Sequence, residues 1–315
     1  MGSKYIVKLQ NFIKKHKTKI VLILVVWGII VIINYVLQNM PKEIVPKTSY
    51  TPHVAVITNN EVPKKLQEPI ENLIDKYMEY CNNKDYENAY NMLGQSCKSE
   101  LYPTIDSYKE YVDSVFEDKR IYAVQNYSNI DSTYIYEIRI MEDILKTGLT
   151  GKTELEVYPE KIIIKEESGE LKLSINGFIG TEETQNVYED DYIKVSIEKI
   201  VQNYETQVYT VRIANKTEHT IVLQDGSETY EIVLSLQREN RKLRNAIYGG
   251  VVLVANQSKT YQLEFTKFVD EDDTAQSLVF NAVRVLEKYT GRADKKEEEL
   301  ANAVKLYSFQ LKLTD

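Results

Sequence analysis

The pattern of apolar and polar residues changes three times along the chain, and the first change marks an apolar run. No charged residue occurs from Ile20 to Leu37, and Asn34 is the only strongly polar side chain there. At about 1.5 Å of rise per residue, such a run is long enough to cross a bilayer as a helix. A buried core helix and a cleaved signal peptide are the alternatives, but the run is apolar on all sides and no small-residue cleavage site follows it. We therefore predict one transmembrane helix at residues 20–38.

Apolar residues recur at intervals of three and four beyond residue 66, a pattern typical of amphipathic helices. One stripe runs from Leu66 to Met78, a second follows Asp85, and a third follows Thr104. Asp and Thr side chains accept hydrogen bonds from the first turn of a helix, so Asp85 and Thr104 are the expected N-caps. Three helices are therefore predicted ahead of the first strand.

From residue 132 onward, apolar and polar residues alternate with a period of two. Residues 132–140 and 153–157 alternate between apolar and polar, and residues 160–165 and 170–175 flank Ser168-Gly169, a signal for a tight hairpin. Helices that pack on one face of an antiparallel sheet form an α+β domain, which we assign to residues 66–182.

The remaining residues, 186–315, alternate in many short segments that turn residues separate, which is typical of a β-sandwich. A helical patch at 295–302 is the exception. The predicted strands are 191–200, 207–214, 229–236, 250–254, 259–268, 277–285 and 304–313.

Two resemblances add to this division. The succession Asn83–Leu93, Tyr108–Tyr111 and Thr150-Gly151, leading into the strands, resembles the NTF2-like superfamily. It is most similar to extracytoplasmic NTF2-like domains behind a single anchor in Gram-positive bacteria, such as the amino-terminal domain of resistance-type penicillin-binding proteins. The match covers roughly residues 66–180 and departs at Leu171–Ile175, where such domains often carry a Trp. The segment Val208–Thr217 resembles immunoglobulin-like domains of bacterial surface proteins.

Together these observations predict an α+β NTF2-like domain plus an all-β, immunoglobulin-like sandwich, preceded by one transmembrane helix. Residues 39–65, which contain several prolines, are expected to form a stalk between the membrane and the first domain.

Charge sets the expected orientation. Residues 1–19 carry six lysines and no acidic residue, whereas all 47 acidic residues follow the apolar run. The positive-inside rule then gives a cytoplasmic basic tail at 1–19 and a single-pass protein of the cell membrane with extracytoplasmic domains. The acidic character of the remainder argues against nucleic acid as a partner.

The sequence predicts no catalytic, cofactor-binding or metal site, and no cofactor. Ser196 and Lys199 match a serine–lysine motif, but on a strand their side chains point to opposite faces. The acidic run Asp270–Asp273 could bind Ca²⁺ weakly, although a solvated turn explains it as well, and Glu297–Glu299 fits an exposed helix face. Lys146-Thr147-Gly148 is a further isolated match to a penicillin-binding motif.

Cys81 and Cys97 are the only cysteines. An antiparallel pairing of the first two helices would bring them together, so a disulfide and two free thiols both stay open. Glycosylation motifs occur at Asn126, Asn215 and Asn256, in turn-like settings. Tyrosine is unusually frequent, with 24 residues against 7 Phe, which fits either a contact surface or half-exposed structural positions.

The functional hypothesis is a non-catalytic, membrane-anchored extracytoplasmic scaffold or protein-binding component of the cell envelope, with other envelope proteins as partners. A subunit of a conjugation or secretion machine is one form of it, because type IV secretion scaffolds share the anchor plus NTF2-like plan. The alternative is a small-ligand binder or an enzyme that uses the NTF2-like cavity. The oligomeric state is left open.

Overall fold

The computed structural model describes residues 62–142, 157–225, 231–269 and 271–313. The predicted tail (1–19), the predicted span (20–38) and nearly all of the predicted stalk (39–65) lie outside these ranges. Within them, no helix combines the length and the apolar character needed to cross a membrane.

Four of the five described α-helices form where apolar residues recur at intervals of three and four, whereas the helix Gln95–Leu101 was not predicted. Asp85 and Thr104 are confirmed as N-caps, because their side chains accept hydrogen bonds from the N–H groups of Asn88 (3.3 Å) and Ser107 (3.2 Å). A 3₁₀ turn, Ala293–Lys295, precedes the last helix. The five α-helices of the described residues are α1 (Lys64–Asn82), α2 (Tyr86–Met92), α3 (Gln95–Leu101), α4 (Ile105–Val115) and α5 (Lys296–Ala301).

Strand is the dominant element. The described strands are β1 (Arg120–Ile130), β2 (Thr133–Glu142), β3 (Val157–Glu167), β4 (Glu170–Ser174), β5 (Phe178–Glu183), β6 (Val187–Glu189), β7 (Ile193–Asn203), β8 (Thr206–Asn215), β9 (Thr220–Gln224), β10 (Ile232–Leu236), β11 (Asn240–Lys242), β12 (Val251–Leu253), β13 (Ser258–Thr266), β14 (Ala275–Leu286) and β15 (Ala303–Lys312).

A four-stranded antiparallel sheet, in the order β1-β2-β3-β4, packs against the first four helices. The alternation predicted for β2 places Tyr136, Ile138 and Ile140 in the core under the helices. Ser168 and Gly169 turn β3 into β4 with positive φ at both positions, so the predicted hairpin is confirmed. We call residues 62–175 the helix–sheet lobe.

Two further sheets face each other and form a sandwich. One has the order β13-β8-β7-β5, with β6 also paired to β7; the other has the order β11-β10-β14-β9-β12, with β15 on the second edge of β14. Alternate residues of β7 and β8 supply one half of the core between them, and β9, β10 and β14 supply much of the other half. We call residues 178–313 the sandwich.

The predicted fold class, an α+β NTF2-like domain plus an all-β sandwich preceded by one transmembrane helix, is wrong. The described chain is mainly β, with fifteen strands against five α-helices, and the segment assigned to the membrane lies outside it. Residues Thr58–Asp315 form one compact unit, in which β5 follows the helix–sheet lobe within three residues of its end and pairs with β7 of the sandwich. The proposed boundary between residues 182 and 186 stays a prediction.

Five described strands were not predicted, namely β1, β5, β6, β9 and β11, and for three of them the sequence shows a physical cause. In β1, the pairing with β2 shifts between Val124 and Asn126, so Gln125 is an extra residue that interrupts the period of two. β6 and β11 have three residues each, too few to show alternation. Strand content was therefore underestimated.

The side chain of Asn215 ties the end of β8 to the end of β12. Its amide nitrogen donates to the carbonyl groups of His219 (2.7 Å), Val254 (2.9 Å) and Leu253 (3.3 Å), and its oxygen accepts from Thr217. Because this nitrogen is buried and hydrogen-bonded, Asn215 is inaccessible to glycosylation in the folded chain.

We expect Asn215→Ala to lower the free energy of unfolding by about 2–3 kcal/mol, since buried carbonyl groups would lose their donor. Asn256→Gly is the matched control, because Asn256 is exposed and has a φ of +56° that glycine adopts freely. Chemical denaturation of both variants measures the difference. Equal stabilities would contradict the role assigned to the Asn215 amide.

Candidate functional site

The two cysteines are free thiols in the structure, and both are buried. The sulfur of Cys81, on α1, lies 3.5 Å from the hydroxyl oxygen of Tyr108, and burial raises the pKa of this thiol to about 11. Cys97 lies on α3, and burial raises the pKa of its thiol as well. Neither thiol is therefore an activated nucleophile.

The residues that match penicillin-binding motifs do not form a catalytic group. Lys199 donates to both carboxylate oxygens of Glu100 at 2.8 Å, an ion pair that joins β7 to α3. Ser196 lies on β7, where it is paired with Arg212 of β8. Lys146-Thr147-Gly148 lies outside the described residues.

The acidic run predicted as a turn takes part in ion pairs. Asp270 lies outside the described residues, whereas Glu271 and Asp273 lie close to Glu239, with carboxylate oxygens within 4.8 Å of one another. The guanidinium group of Arg241 lies 2.5 Å from both Glu239 and Glu271. A cation of the protein itself thus occupies the space between these two carboxylates.

A second group of charges is buried on β14. Arg284 contacts Asp225 at 2.6 Å and Glu231 at 2.9 Å, and Lys296 of α5 lies 3.3 Å from Asp225. Two cations thus face two anions, which satisfies the requirement that buried charges be paired. This cluster fixes α5 against the sheet.

Sequence reasoning missed a buried carboxylate on β3. One oxygen of Glu160 accepts the backbone N–H groups of Lys161 (2.8 Å) and Asn176 (2.7 Å), and the other accepts the hydroxyl of Tyr111 (3.3 Å). Pattern analysis could not single out Glu160, because its position in an alternating strand looks like any solvent-facing glutamate.

Burial raises the pKa of Glu160 from 4.5 to about 7, against the opposing effect of its hydrogen-bond donors. A group with such a pKa can hold or release a proton near neutral pH, and perturbed groups of this kind are common at functional sites. They also occur in structural networks, so the surroundings of Glu160 decide between the two roles.

Tyrosines surround Glu160 on the side of the helices. Tyr102, Tyr108 and Tyr111 lie with ring centroids 5.4 to 6.1 Å apart, and Tyr108 donates to the hydroxyl of Tyr77 at 3.1 Å. Burial raises the pKa of each of these hydroxyls. The rings fill the interior of the helix–sheet lobe, and their hydroxyls bond to one another and to their neighbours.

On the opposite side, Glu160 borders an open cleft of about 290 Å³ between the helix–sheet lobe and the sandwich. The charged side chains of this cleft are paired, Lys161 with Glu205 at 2.6 Å and Arg244 with Glu264 at 3.6 Å. Gly177 lies at the base with a φ of +65°. The cleft combines a protonatable carboxyl with polar walls, whose ion pairs a polar ligand would have to replace.

Comparisons with protein-family models, with curated proteins and with solved structures found no match for this chain. The resemblances to NTF2-like and immunoglobulin-like domains gain no support from them.

Glu160 makes the stability of the fold depend on pH. Because its folded pKa of about 7 exceeds its unfolded value, its contribution is complete below about pH 4.5 and is lost as the pH rises through 7. The loss amounts to about 3 kcal/mol, which Glu160→Gln should abolish, since the amide keeps an acceptor oxygen in place. The measurement is the free energy of unfolding of the wild type and the variant from pH 4 to pH 8. The difference between the two gives the contribution of Glu160 at each pH.

Glu205→Gln is the control for this experiment, because Glu205 lies in the same cleft but is more exposed. It should retain the wild-type dependence on pH. A Glu160→Gln profile parallel to that of the wild type would show that Glu160 titrates at its ordinary pKa.

Proposed function

We propose that this chain is a non-catalytic protein-binding module, and that the loop between β11 and β12 contacts its partner. The observation that carries the proposal is Tyr248, a fully exposed aromatic side chain on that loop. Tyrosine is enriched at protein interfaces, because its ring supplies apolar contact and its hydroxyl supplies a hydrogen bond.

The loop is fixed at its start. The amide of Asn245 donates to the carbonyl of Gln262 and accepts the N–H of Glu264, both at 2.9 Å, so it binds β13 in the manner of a neighbouring strand. The N–H of Arg244 also donates to the carbonyl of Glu264 at 2.7 Å. Ile247 packs against the core of the sandwich.

The loop is fixed at its end by Gly250. Its N–H donates to the carbonyl of Ile247, its φ is +69°, and a Cβ atom here would collide with the backbone oxygen of Gln224. Only glycine fits this close approach. Tyr248 therefore projects from a loop that is anchored on both sides.

An anchored aromatic residue suits protein binding for an energetic reason. A tyrosine ring buries a large area on contact, and a loop that is already ordered loses little conformational entropy when it binds.

The test begins with a photo-crosslinking amino acid at position 248 of the full-length chain, expressed in its native cell. Thr260, an exposed residue of β13, is the control position. We expect an adduct at position 248 that is absent at position 260, and mass spectrometry then identifies the partner.

With that partner purified, Tyr248→Ala should weaken binding by about tenfold or more, as removal of an aromatic anchor usually costs at least 1.4 kcal/mol. Thermal unfolding should not change, because Tyr248 has no buried contacts to lose. Thr260→Ala is the matched control for affinity. Equal affinities of the Tyr248→Ala variant and the wild type would overturn the proposal.

A second candidate function, a small-ligand binder or an enzyme, is favoured by one observation, the carboxyl of Glu160 with a pKa near 7 beside an open cleft. The two candidates differ in their response to substitution in one functional assay. If Glu160→Gln abolishes activity in a folded protein while Tyr248→Ala has no effect, the cleft is the functional site and the binding proposal fails.

A further inference from the structure

β1 is an edge strand with no charged residue after its first position. It has eleven residues and is the outermost strand on one side of the four-stranded sheet. Residues 121–130 are all uncharged, although 27% of the residues of the chain carry charge. Natural edge strands usually carry charges or prolines that prevent pairing with another chain. Among the described sheets, the other edge strands longer than three residues follow this rule, with charged residues in β4, β5, β13 and β15.

The first residue of β1 shows what the open edge binds. Both the N–H and the C=O of Arg120 bond to the side-chain amide of Asn82, each at 2.8 Å. The amide thus takes the place of one residue of a neighbouring strand. No hydrogen bond of the described residues covers the remainder of this edge in the same way.

The direction of each backbone group follows from the two ends of β1. In an antiparallel strand, N–H and C=O of one residue point to the same side, and successive residues alternate. Arg120 faces the open edge, because Asn82 binds it there. Ile130 faces β2, because the two-residue turn Asp131-Ser132, with positive φ at both positions, joins it to Thr133.

Arg120 and Ile130 are ten residues apart, so strict alternation would point them in the same direction. The extra residue Gln125 in the pairing with β2 accounts for the reversal. The open-edge residues are therefore Tyr122 and Val124 before the bulge, and Tyr127 and Asn129 after it.

The spacing of the open-edge residues determines which kind of strand can pair with β1. A regular strand presents its groups at every second residue, so it loses register where β1 steps three residues, from Val124 to Tyr127. An antiparallel copy of β1 has the same step at its own centre. It places Tyr122 opposite Asn129 and Val124 opposite Tyr127 in both directions, and all four open-edge residues are then paired.

We propose that β1 is the interface of a symmetric homodimer, in which two four-stranded sheets join edge to edge into one antiparallel sheet. Charge favours the same arrangement. The chain is acidic overall, with a net charge of −8, so two copies repel each other least along an uncharged strand.

The surroundings of β1 leave room for the second strand. A groove of about 510 Å³ lies between α1 and the start of β1, lined by Asn82, Lys119 and Tyr122 among others. In the proposed register, the pairing ends at Tyr122 opposite Asn129 of the second copy, because Asn82 already binds the backbone of Arg120. The interface lies on the helix–sheet lobe and is distinct from the Tyr248 loop of the sandwich.

Cysteine crosslinking of the full-length chain tests the register. Ala123 and Ser128 of the second copy form a non-hydrogen-bonded pair in the proposed sheet, with Cα atoms about 4.5 Å apart, a separation that a disulfide spans. Within one chain the same two residues are about 16 Å apart, at 3.3 Å per residue. An oxidised equal mixture of Ala123→Cys and Ser128→Cys proteins should therefore give a covalent dimer that neither protein gives alone.

Asn126→Cys replaces Ser128→Cys in the off-register control, since its pairing with residue 123 requires a slip of two residues. Equal dimer yields in and out of register would overturn the proposed pairing. The native thiols do not interfere, because Cys81 and Cys97 are buried.

Sedimentation over a wide concentration range tests the association itself, and wild type should convert from monomer to dimer. Tyr127→Pro removes an open-edge N–H in each copy, while an edge strand tolerates the proline. It should raise the dissociation constant about tenfold or more relative to Tyr127→Ala, which removes the same ring but keeps the N–H. A wild-type chain that stays monomeric, or equal dissociation constants for the two variants, would refute the homodimer. Unfolding curves of both variants verify that β1 still forms.

Discussion

The carboxylate of Glu160 binds the turn through which the chain passes from the helix–sheet lobe into the sandwich. β4 ends at Ser174, the chain turns at Asn176-Gly177, and β5 enters a different sheet. Glu160 binds the N–H of Asn176, and Asn176 in turn donates from its amide to the hydroxyl of Tyr102. The N–H of Gly177 bonds to Lys161 of β3, and its C=O accepts from Tyr204 beyond β7. One turn is thus bonded to both parts of the compact unit that residues 58–315 form.

Tyrosine is frequent in the interior of the helix–sheet lobe, where several of its hydroxyls have hydrogen-bond partners. Phenylalanine could fill the same volume, but the hydroxyls of Tyr108 and Tyr77 bond to each other, and the hydroxyl of Tyr111 reaches Glu160. A buried carboxylate needs donors, and a buried hydroxyl needs partners. The Tyr111 hydroxyl and the Glu160 carboxylate therefore depend on one another.

Local signals in the sequence were sufficient for elements that a regular period defines. The N-caps Asp85 and Thr104 and the hairpin at Ser168-Gly169 were predicted correctly, because each depends on residues adjacent in the chain. The fold class was not predicted correctly. The bulge at Gln125 concealed β1, and the pairing of β5 with β7 depends on contacts between distant segments. Glu160 was missed for the same reason, since its pKa follows from burial that only the folded chain creates.

The edge strands of the described sheets differ in charge, and this difference affects which strands can pair with them. β15 carries Lys305 and Lys312, charges that oppose pairing with another strand. Over most of β1 such protection is missing, yet the bulge at Gln125 restricts what can pair there, because a regular strand cannot follow its step. A bulge usually disfavours any added strand, but two identical bulges related by a twofold axis compensate each other. The irregularity that hid β1 from pattern analysis is thus the feature that makes its edge complementary to itself.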